Sequence, residues 1–600
     1  MRLLVRRLQG AQNEARDLRR AGVPSSGPHT GSEGEIHALR VRIAELESST
    51  SWRVTRYLRD AKEVGIRAAP TVRRLTRRIG SSTPPPQPRP APAPPHAEAL
   101  PAFHFISREI DDLLLDSRLT TVLATLGTPL VGASQTDPLP AEARLLAEPP
   151  TDRSSWWLVF VGYLGSLPTD SQLDLVLADA AAGQTERAIA RLRAWRGQRT
   201  GQWQVATPLR IIGTPVVDVT HTASTPLHTG VQRVVRNVVP LWGSRATVLV
   251  LDEAARAYRV PTAAELGRVV EWDDSAMGNP VAPAGAGELP TEVVVPWNTT
   301  VIVPELKLPG DLEILRCVGH SSTNTLAAIV YDTIPTAASE FVPRQTTADF
   351  AVYTSMIKHS GRVSAISESA GAEFRGLNLG FASQGFSGPV VEAHLLPIVP
   401  PPAAPPSTAA TIAHLRKRPE LPLVLQVGSI GPHKNQRATL SAAAAIWSAG
   451  IEFEVVFVAP NAWHQGDFAE LVERQSELGR AVSTLNNVSE AELWSLYREA
   501  HVVVLPSFVE GYGLPIAEAL SVGTPVITSG FGSMAEVART GGALLIAPGD
   551  VSTVTAALTT MLTDADEYAR LKSEADGTPL SSWQAYAEAT WNWLARGEHV

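Results

Sequence analysis

The stretch PSFVEGYGLPIAEALSVGTPVITS, residues 506–529, decides the fold class of this 600-residue chain. It continues the apolar run HVVVL at residues 501–505, so a buried strand leads into a glycine-bearing turn. A helix is expected to begin near Leu514. Ligands of doubly wound α/β sheets bind where strand ends meet helix starts. We therefore expect a ligand site at this turn.

The residue types in the turn suit a diphosphate. Four backbone N–H groups are expected to point into the crevice, those of Gly511, Tyr512, Gly513 and Leu514. The helix dipole adds positive potential there, and glycine lets the main chain approach closely. Glu510 is placed to accept hydrogen bonds from sugar hydroxyls on one side of the diphosphate. Glu518, on the helix, is placed to accept from a ribose on the other side.

Outward from this turn, short apolar runs alternate with helix-length segments. The first series is VVDVT, TVLVLD, TVIVPE, LAAIVYD and VSAISES, and the second is LPLVLQVGS, FEVVFVA, HVVVLPS, TPVITS and ALLIAPG. Such runs are typical of buried parallel strands. We predict an α/β fold with two Rossmann-like domains facing a cleft, at residues 206–400 and 401–575. Residues 576–600 are expected to form a helix that packs back on the first domain.

A second motif, LQVGSIGPHKNQRATLSAA, covers residues 425–443. Its strand delivers a loop from which Lys434 is expected to reach the diphosphate. A fixed cation stabilises the negative charge that develops on a phosphate leaving group. His433 stands beside it and is charged only part of the time near neutral pH.

These motifs resemble those of family 4 retaining glycosyltransferases of the GT-B fold, the glycosyl transferases group 1. EGYGLPIAEAL with GTPVI resembles the E-x7-E signature of that family, and residues 425–443 resemble its V-G-T-L-E-P-R-K-N segment. Gly431 and His433 depart from the glutamate and the usual arginine of that segment. VSEAEL, at residues 488–493, resembles V-S-D-x-E-L, which implies that the main chain at Val488 meets the nucleobase.

The N-terminal half of the resemblance rests on two pieces. STPLHTGVQRVVRNVV, residues 224–239, resembles a T-G-I-Q-R-V-V-R loop, in which Gly230 presents N–H groups to phosphate or acceptor. Arg233 and Arg236 face either the cleft or solvent. In IVYDTIPT, residues 329–336, Asp332 follows a strand. It either hydrogen-bonds the donor sugar or acceptor hydroxyl, or caps the next turn.

The resemblance implies a hexosyltransferase that retains anomeric configuration, with Lys434, Glu510 and Asp332 as the catalytic residues. The nucleotide-sugar, of mannosyltransferase-like type, is a substrate, so no cofactor is expected. No metal site is expected either, because the D-x-D spelling at residues 564–566 lies just ahead of a C-terminal helix, where Asp caps. The implied acceptor is a glycan or lipid-linked glycan of surface polysaccharide or lipopolysaccharide biosynthesis. A nucleotide-sugar epimerase and a non-catalytic nucleotide- or glycan-binding module are the alternatives.

Composition and charge bear on the partners and the location expected for this chain. The net charge of -8 argues against a nucleic-acid partner, and one cysteine cannot form an internal disulfide. A cytoplasmic location is expected, because no apolar run is long enough to span a membrane. Residues 1–80 are basic with a short coiled-coil rhythm, residues 81–102 form a proline-rich linker, and residues 103–205 are mostly helical. The basic segment is a candidate for peripheral contact with an anionic membrane at its inner face, or for self-association.

Overall fold

The computed structural model describes most of the chain beyond residue 107. The described residues are 108–127, 139–199, 202–226, 229–271, 290–307, 309–401, 412–459, 465–486 and 488–598. The predicted basic segment 1–80 and proline-rich linker 81–102 lie outside them.

The described residues between 108 and 206 fold as packed helices. They are α1 (Arg108–Thr125), α2 (Ala141–Ala147), α3 (Arg153–Leu164), α4 (Asp170–Ala181), α5 (Thr185–Gly197) and α6 (Trp203–Ala206). The apolar α3 forms the centre of this group and is buried along most of its length. Asp152 caps its first turn by accepting from the Ser155 N–H, and Gly165 ends it in the left-handed conformation.

The helical group packs against the first α/β domain. The ring of Trp157 stacks on that of Trp297, with centroids 6.2 Å apart. Asp170 accepts from Nε of Arg316 at 2.8 Å. The group therefore adds to the core of the first α/β domain.

The first α/β domain is built on strands β1 to β9 and the helices between them. Its strands are β1 (Leu209–Ile212), β2 (Val216–Asp218), β3 (Thr247–Asp252), β4 (Ala257–Arg259), β5 (Val293–Pro296), β6 (Thr300–Val303), β7 (Thr325–Val330), β8 (Arg362–Ala365) and β9 (Val390–Ala393). Its helices are α7 (Thr220–Ser224), α8 (Gly230–Trp242), α9 (Ala263–Val270), α10 (Pro309–Ser321), α11 (Ile334–Ala337), α12 (Arg344–Ile357) and α13 (Glu368–Ala382). The described strands lie in the order β1-β5-β4-β3-β2-β6-β7-β8-β9. Only β4, among these strands, pairs antiparallel to its neighbours.

The second α/β domain has a parallel sheet. Its strands are β10 (Leu423–Val427), β11 (Glu454–Val458), β12 (Val482–Leu485), β13 (Val502–Leu505), β14 (Val526–Ser529) and β15 (Ala543–Ile546). Its helices are α14 (Gln436–Ser448), α15 (Gln465–Glu477), α16 (Glu490–Glu499), α17 (Leu514–Ser521), α18 (Gly532–Val537), α19 (Val551–Thr563) and α20 (Ala565–Asp576). The order β12-β11-β10-β13-β14-β15 reverses direction between β10 and β13. The carboxyl ends of these two strands therefore flank the crevice in which such sheets bind ligands.

The chain then returns to the first domain. Helix α21 (Trp583–Trp591) continues into a π-helical turn at Asn592–Arg596. The ring N–H of Trp593 donates to the Val363 carbonyl at 2.9 Å, and that of Trp242 donates to the Ala587 carbonyl at 2.8 Å. The C-terminal helix thus packs on the first domain, although it follows the second in sequence.

The fold class predicted from the sequence, α/β with two Rossmann-like domains facing a cleft, is confirmed. The structure adds strands β1, β4, β5, β9 and β12, which the sequence pattern did not predict. These strands have three or four residues each, too few to show a clear period. The antiparallel β4 follows β3 through a tight turn in which Asp252 accepts from the Ala255 N–H and Arg256 has φ 55°.

Candidate active site

The turn after β13 has the predicted geometry. Strand β13 ends at Leu505, and α17 begins at Leu514. Gly513 caps the helix with φ 96°, a conformation that residues with a Cβ rarely adopt. The hydroxyl of Ser533 donates to the Glu510 carbonyl at 2.7 Å, and that of Ser529 donates to the Ser507 carbonyl at 2.6 Å. The end of β14 and the first turn of α18 therefore hold the turn in place.

The four N–H groups of this turn are available to a ligand. Within the described part of the chain, none of the backbone N–H groups at residues 511–514 donates to another residue. Together with the N-terminus of α17 they form a cluster of unpaired donors at the switch point of the sheet. The side chain of Tyr512 is used elsewhere, because its hydroxyl donates to the Leu396 carbonyl at 2.7 Å.

Lys434 and Glu510 meet at the centre of the site. The ammonium group of Lys434 donates to Oε1 of Glu510 at 2.6 Å and to Oε2 at 2.7 Å. The Ser507 hydroxyl donates to the same Oε1 at 2.7 Å. Their side chains are 15% and 9% exposed, so solvent screens this ion pair only weakly. The structure therefore brings together two residues predicted from separate motifs.

Hydrogen bonds to neighbouring segments hold the loop that carries Lys434. It forms a 3-10 turn at Pro432–Lys434 and ends at Asn435, which has φ 54°. The side-chain amide of Asn435 donates to the carbonyls of Pro506 and Pro548, at 3.2 Å and 2.8 Å. The Phe508 N–H donates to the His433 carbonyl at 2.8 Å. These bonds join the loop after β10 to the turn after β13.

His433 lies beside this ion pair with a half-buried ring. Burial lowers the pKa of His433, and the charge of Lys434 lowers it further. The ring is therefore neutral at physiological pH. It cannot supply the second fixed cation that an arginine would give at this position.

Glu518 is held by one partner from each α/β domain. Nη1 of Arg233 donates to its Oε1 at 2.5 Å, and the Tyr497 hydroxyl donates to its Oε2 at 2.8 Å. Tyr497 is fully buried, and burial together with the charge of Glu518 raises the pKa of Tyr497 well above its ordinary value. Arg236, the other arginine considered for the cleft, donates instead to the Arg268 carbonyl at 2.9 Å. The sequence carries no signal that marks Tyr497 as a site residue, since a buried tyrosine on a helix is also an ordinary core residue.

Asp332 caps the next turn, which is one of its two predicted roles, and its second carboxylate oxygen faces the other domain. Its Oδ1 accepts from the Ile334 N–H at 3.1 Å, so it caps the turn after β7. Its Oδ2 faces the second domain, where a Cβ placed on Gly511 would lie 3.0 Å away. Burial raises the pKa of Asp332 to about 6, and the charges of Glu373 and Glu510 contribute to this rise.

The start of α8 also faces the second domain. Thr229 and Gln232 form a capping box ahead of Gly230, the first residue of the helix. A Cβ on Gly230 would lie 3.1 Å from Cδ1 of Leu514. The N-termini of α8 and α17 therefore approach each other across the cleft. Val488 is partly buried and packs against the core just ahead of α16.

Further bonds cross the cleft near the turn. The Ser367 hydroxyl donates to the Gly511 carbonyl at 2.8 Å. The carboxylate of Glu536 accepts from the N–H groups of Glu368 and Ser369, at 2.9 Å and 3.1 Å, and so caps α13 from the opposite domain. The two α/β domains are therefore in direct contact at the site.

The described residues offer no cluster of three or more His, Cys, Asp or Glu side chains placed to hold a metal ion. Asp564 accepts from the Glu567 N–H at 3.0 Å and caps α20, as the sequence suggested for the D-x-D spelling. In the same part of the chain, no helix is long and apolar enough to cross a membrane.

Comparison with known proteins gives a family for the second domain. Residues 408–577 match the family described as glycosyl transferases group 1. The O-antigen chain mannosyltransferase B of Escherichia coli is 34% identical over 141 residues, which cover 23% of this chain and 36% of that protein. The MMP alpha-(1->4)-mannosyltransferase of Mycolicibacterium hassiacum is 36% identical over 121 residues, covering 19% of this chain and 29% of that protein.

The likeness extends to solved structures at low identity. The crystal structure of Anabaena Alr3699/HepE in complex with UDP and glucose superimposes with a TM-score of 0.41 and 15% identity, covering 63% of this chain and 95% of that one. The chain spans only about a third of the length of the curated relatives cited above. The family match and the geometry agree on the same segment. Residues 408–577, which run from before β10 to the end of α20 and hold Lys434, Glu510 and Glu518, are therefore similar to the glycosyl transferases group 1 family.

Proposed function

We propose that this protein transfers a hexose from a nucleotide-sugar donor to a glycan or lipid-linked acceptor, with retention of anomeric configuration. The Lys434–Glu510 ion pair carries the proposal, since it lies beside the unpaired N–H groups of residues 511–514. An ammonium group next to such donors is a site for a leaving diphosphate. Asp332 closes the site from the opposite domain.

Lys434 stabilises the leaving group. Two of its three N–H bonds go to Glu510, which leaves the third for a phosphate oxygen. Negative charge grows on that oxygen as the glycosidic bond breaks, so the contact is strongest in the transition state. Backbone dipoles and Lys434 together hold the diphosphate without a divalent cation.

The two glutamates bind different parts of the donor. Glu510 shares its carboxylate between Lys434 and Ser507, and its remaining lone pairs accept from hydroxyls of the donor sugar. Glu518 accepts from the ribose while Arg233 and Tyr497 fix its orientation. A carboxylate has about four lone-pair sites, so Glu518 can bind the ribose without giving up either partner.

Asp332 orients the acceptor hydroxyl. Its Oδ2 lies at the Gly511 main chain, close to the carboxylate that receives the donor sugar. The departing diphosphate oxygen takes the proton of the acceptor hydroxyl on the same face of the sugar, which preserves the anomeric configuration. No protein nucleophile is required in this route.

The relatives suggest the sugar. The relatives include O-antigen chain mannosyltransferases and an MMP alpha-(1->4)-mannosyltransferase by name, so mannose is the first donor sugar to test. The names of the O-antigen relatives support an acceptor among surface polysaccharides or lipopolysaccharide. They do not favour an epimerase.

The experiment incubates the full chain with a panel of nucleoside-diphosphate sugars that includes GDP-mannose, and with mannoside acceptors. We expect release of the nucleoside diphosphate together with a new glycoside. Proton NMR of the product should show the anomeric configuration of the donor. An inverted product would refute the retaining mechanism, and conversion of the donor to its epimer without an acceptor would refute transfer itself.

A further inference from the structure

A cavity of about 430 Å³ opens beside the candidate site, between the two α/β domains. Phe341, from the segment that follows Asp332, lines it from the first domain. Ile430 and Phe508, from the loops that carry Lys434 and Glu510, line it from the second domain. Its volume is within the range of about 300–1,000 Å³ common for small-molecule sites. We refer to it as the phenylalanine pocket.

The pocket adjoins the diphosphate crevice, because the loops that carry Lys434 and Glu510 contribute to its lining. Strand β10 leads through α14 towards β11 on one side, and β13 leads through α17 towards β14 on the other. Because such crossovers are right-handed, α14 and α17 lie on opposite faces of the sheet. The first turn of α14 lines the pocket, whereas the unpaired N–H groups belong to the start of α17. The pocket therefore lies on the α14 side of the crevice, and these N–H groups lie on the α17 side.

The lining has an apolar wall and a polar rim. The rings of Phe341 and Phe508 stack with centroids 5.5 Å apart and an angle of 16° between their planes. Phe468 is 2% exposed and forms the floor. At the rim, Arg437 and Asp467 are 3.7 Å apart, with side chains 59% and 89% exposed. This loose ion pair leaves donors and acceptors free for a ligand.

This combination of groups suits a neutral sugar ring. The C–H face of a pyranose is apolar and packs on aromatic side chains, while its hydroxyls both donate and accept hydrogen bonds. Arg437 supplies donors and Asp467 supplies acceptors, and their charges balance, so the rim does not select a charged ligand. Resting on the proposed function, we propose that the phenylalanine pocket binds a sugar residue of the acceptor glycan.

Binding is tested directly first, with the full chain and a methyl dimannoside as probe, by saturation-transfer NMR. The wild-type protein should show transfer to the probe, and Phe341→Ala and Arg437→Ala should weaken probe binding about tenfold. Phe386→Ala and Arg570→Ala are matched controls, because both residues lie away from the pocket. Affinity for the nucleoside diphosphate, measured by calorimetry, should stay within about twofold of wild type in all four variants.

Transfer assays then separate this proposal from the proposed function. With a donor that the wild-type protein uses, the two pocket variants should raise the acceptor concentration needed for half-maximal rate, also about tenfold, and leave hydrolysis of the donor without acceptor unchanged.

Arg437 is exposed, so its variant should fold even if Phe341→Ala does not. If probe binding is unchanged in Arg437→Ala and in a folded Phe341→Leu protein, the proposal that the pocket binds an acceptor sugar is wrong, even if transfer is seen. Displacement of the probe by hexanol alone would show that the pocket takes an apolar chain, and would overturn it as well. Probe binding that depends on the pocket, in a protein that transfers no sugar, would instead overturn the proposed function.

Discussion

At the scale of single residues, Asp332 has the most unusual environment in the site. Burial holds its pKa at about 6, well above the ordinary value of about 4 for aspartate. The acceptor contact proposed for Asp332 requires the ionised carboxylate. The contact should therefore be lost as the pH falls through about 6, and gained as it rises.

This gives a prediction for the pH profile of the reaction. In the wild-type protein, kcat/KM for the acceptor should rise through pH 6 and level off above pH 7. Asp332→Asn should be slow at all pH values and lack this acidic limb, because an amide does not titrate. Glu373→Gln is a control, since it removes a nearby negative charge and should shift the limb to lower pH. An unchanged limb in Asp332→Asn would assign the titration to another group.

The two glutamates allow a second prediction at this scale. Glu518→Gln should weaken binding of the free nucleoside diphosphate, because the ribose contact does not need the sugar. It also removes the charge that pairs with Arg233. Glu510→Gln should leave nucleotide affinity nearly intact and lower the rate of transfer. Calorimetry with the nucleoside diphosphate separates the two variants, and the reverse pattern would show that their roles are exchanged.

At the scale of elements, the turn from β13 into α17 depends on Gly513. Its φ of 96° lies in the left-handed region, and a Cβ there would also approach Cδ1 of Ile516 to 3.1 Å. Gly513→Ala should destabilise the protein by about 1 kcal/mol or more and weaken nucleotide binding, because the N–H groups shift. Gly376→Ala, on α13 with open space around it, should be neutral or stabilising by up to about 1 kcal/mol. Thermal unfolding measures both variants, and equal effects would contradict the role of the turn.

The sequence could predict the elements that carry strong local patterns. Strand β13, the start of α17 and the loop of Lys434 follow from apolar runs, glycines and a known motif. Short strands such as β1 and β5 could not be predicted, since they pair with each other although they lie far apart in sequence.

At the scale of the whole molecule, contacts between the domains complete the site. Arg233 reaches Glu518, and Glu536 caps α13, across separations of 285 and 168 residues. No local pattern encodes such pairs, because they depend on how the two domains meet. The sequence could therefore predict Glu518 as a site residue and Arg233 as one of two candidates for the cleft, but neither the pairing of Arg233 with Glu518 nor the role of Tyr497.

The basic segment 1–80 gives a prediction for the full chain. All predicted donor-binding residues lie beyond residue 205, and the helical group of residues 108–206 packs on the first α/β domain, so a chain beginning at residue 103 should still bind nucleotide. The full-length protein should co-sediment with anionic liposomes at low salt and be released at high salt, because exposed charges are screened over about 8 Å at physiological ionic strength. The shortened chain should stay in solution. If truncation instead lowers the mass measured by light scattering and leaves liposome binding unchanged, the segment serves self-association.

The most direct test of the account compares the rate of sugar transfer by the wild-type protein and by Lys434→Ala, each in excess EDTA. The wild-type rate of transfer should persist in EDTA, because Lys434 and backbone N–H groups hold the diphosphate. Lys434→Ala should lose about 2–4 kcal/mol of transition-state stabilisation, a fall of about one and a half to three orders of magnitude in kcat, measured on protein whose fold is confirmed by circular dichroism. Lys417→Ala, on the surface of the same domain, should transfer at the wild-type rate. Near wild-type turnover by Lys434→Ala, or complete loss of wild-type activity in EDTA with recovery on adding Mg²⁺ or Mn²⁺, would contradict the account.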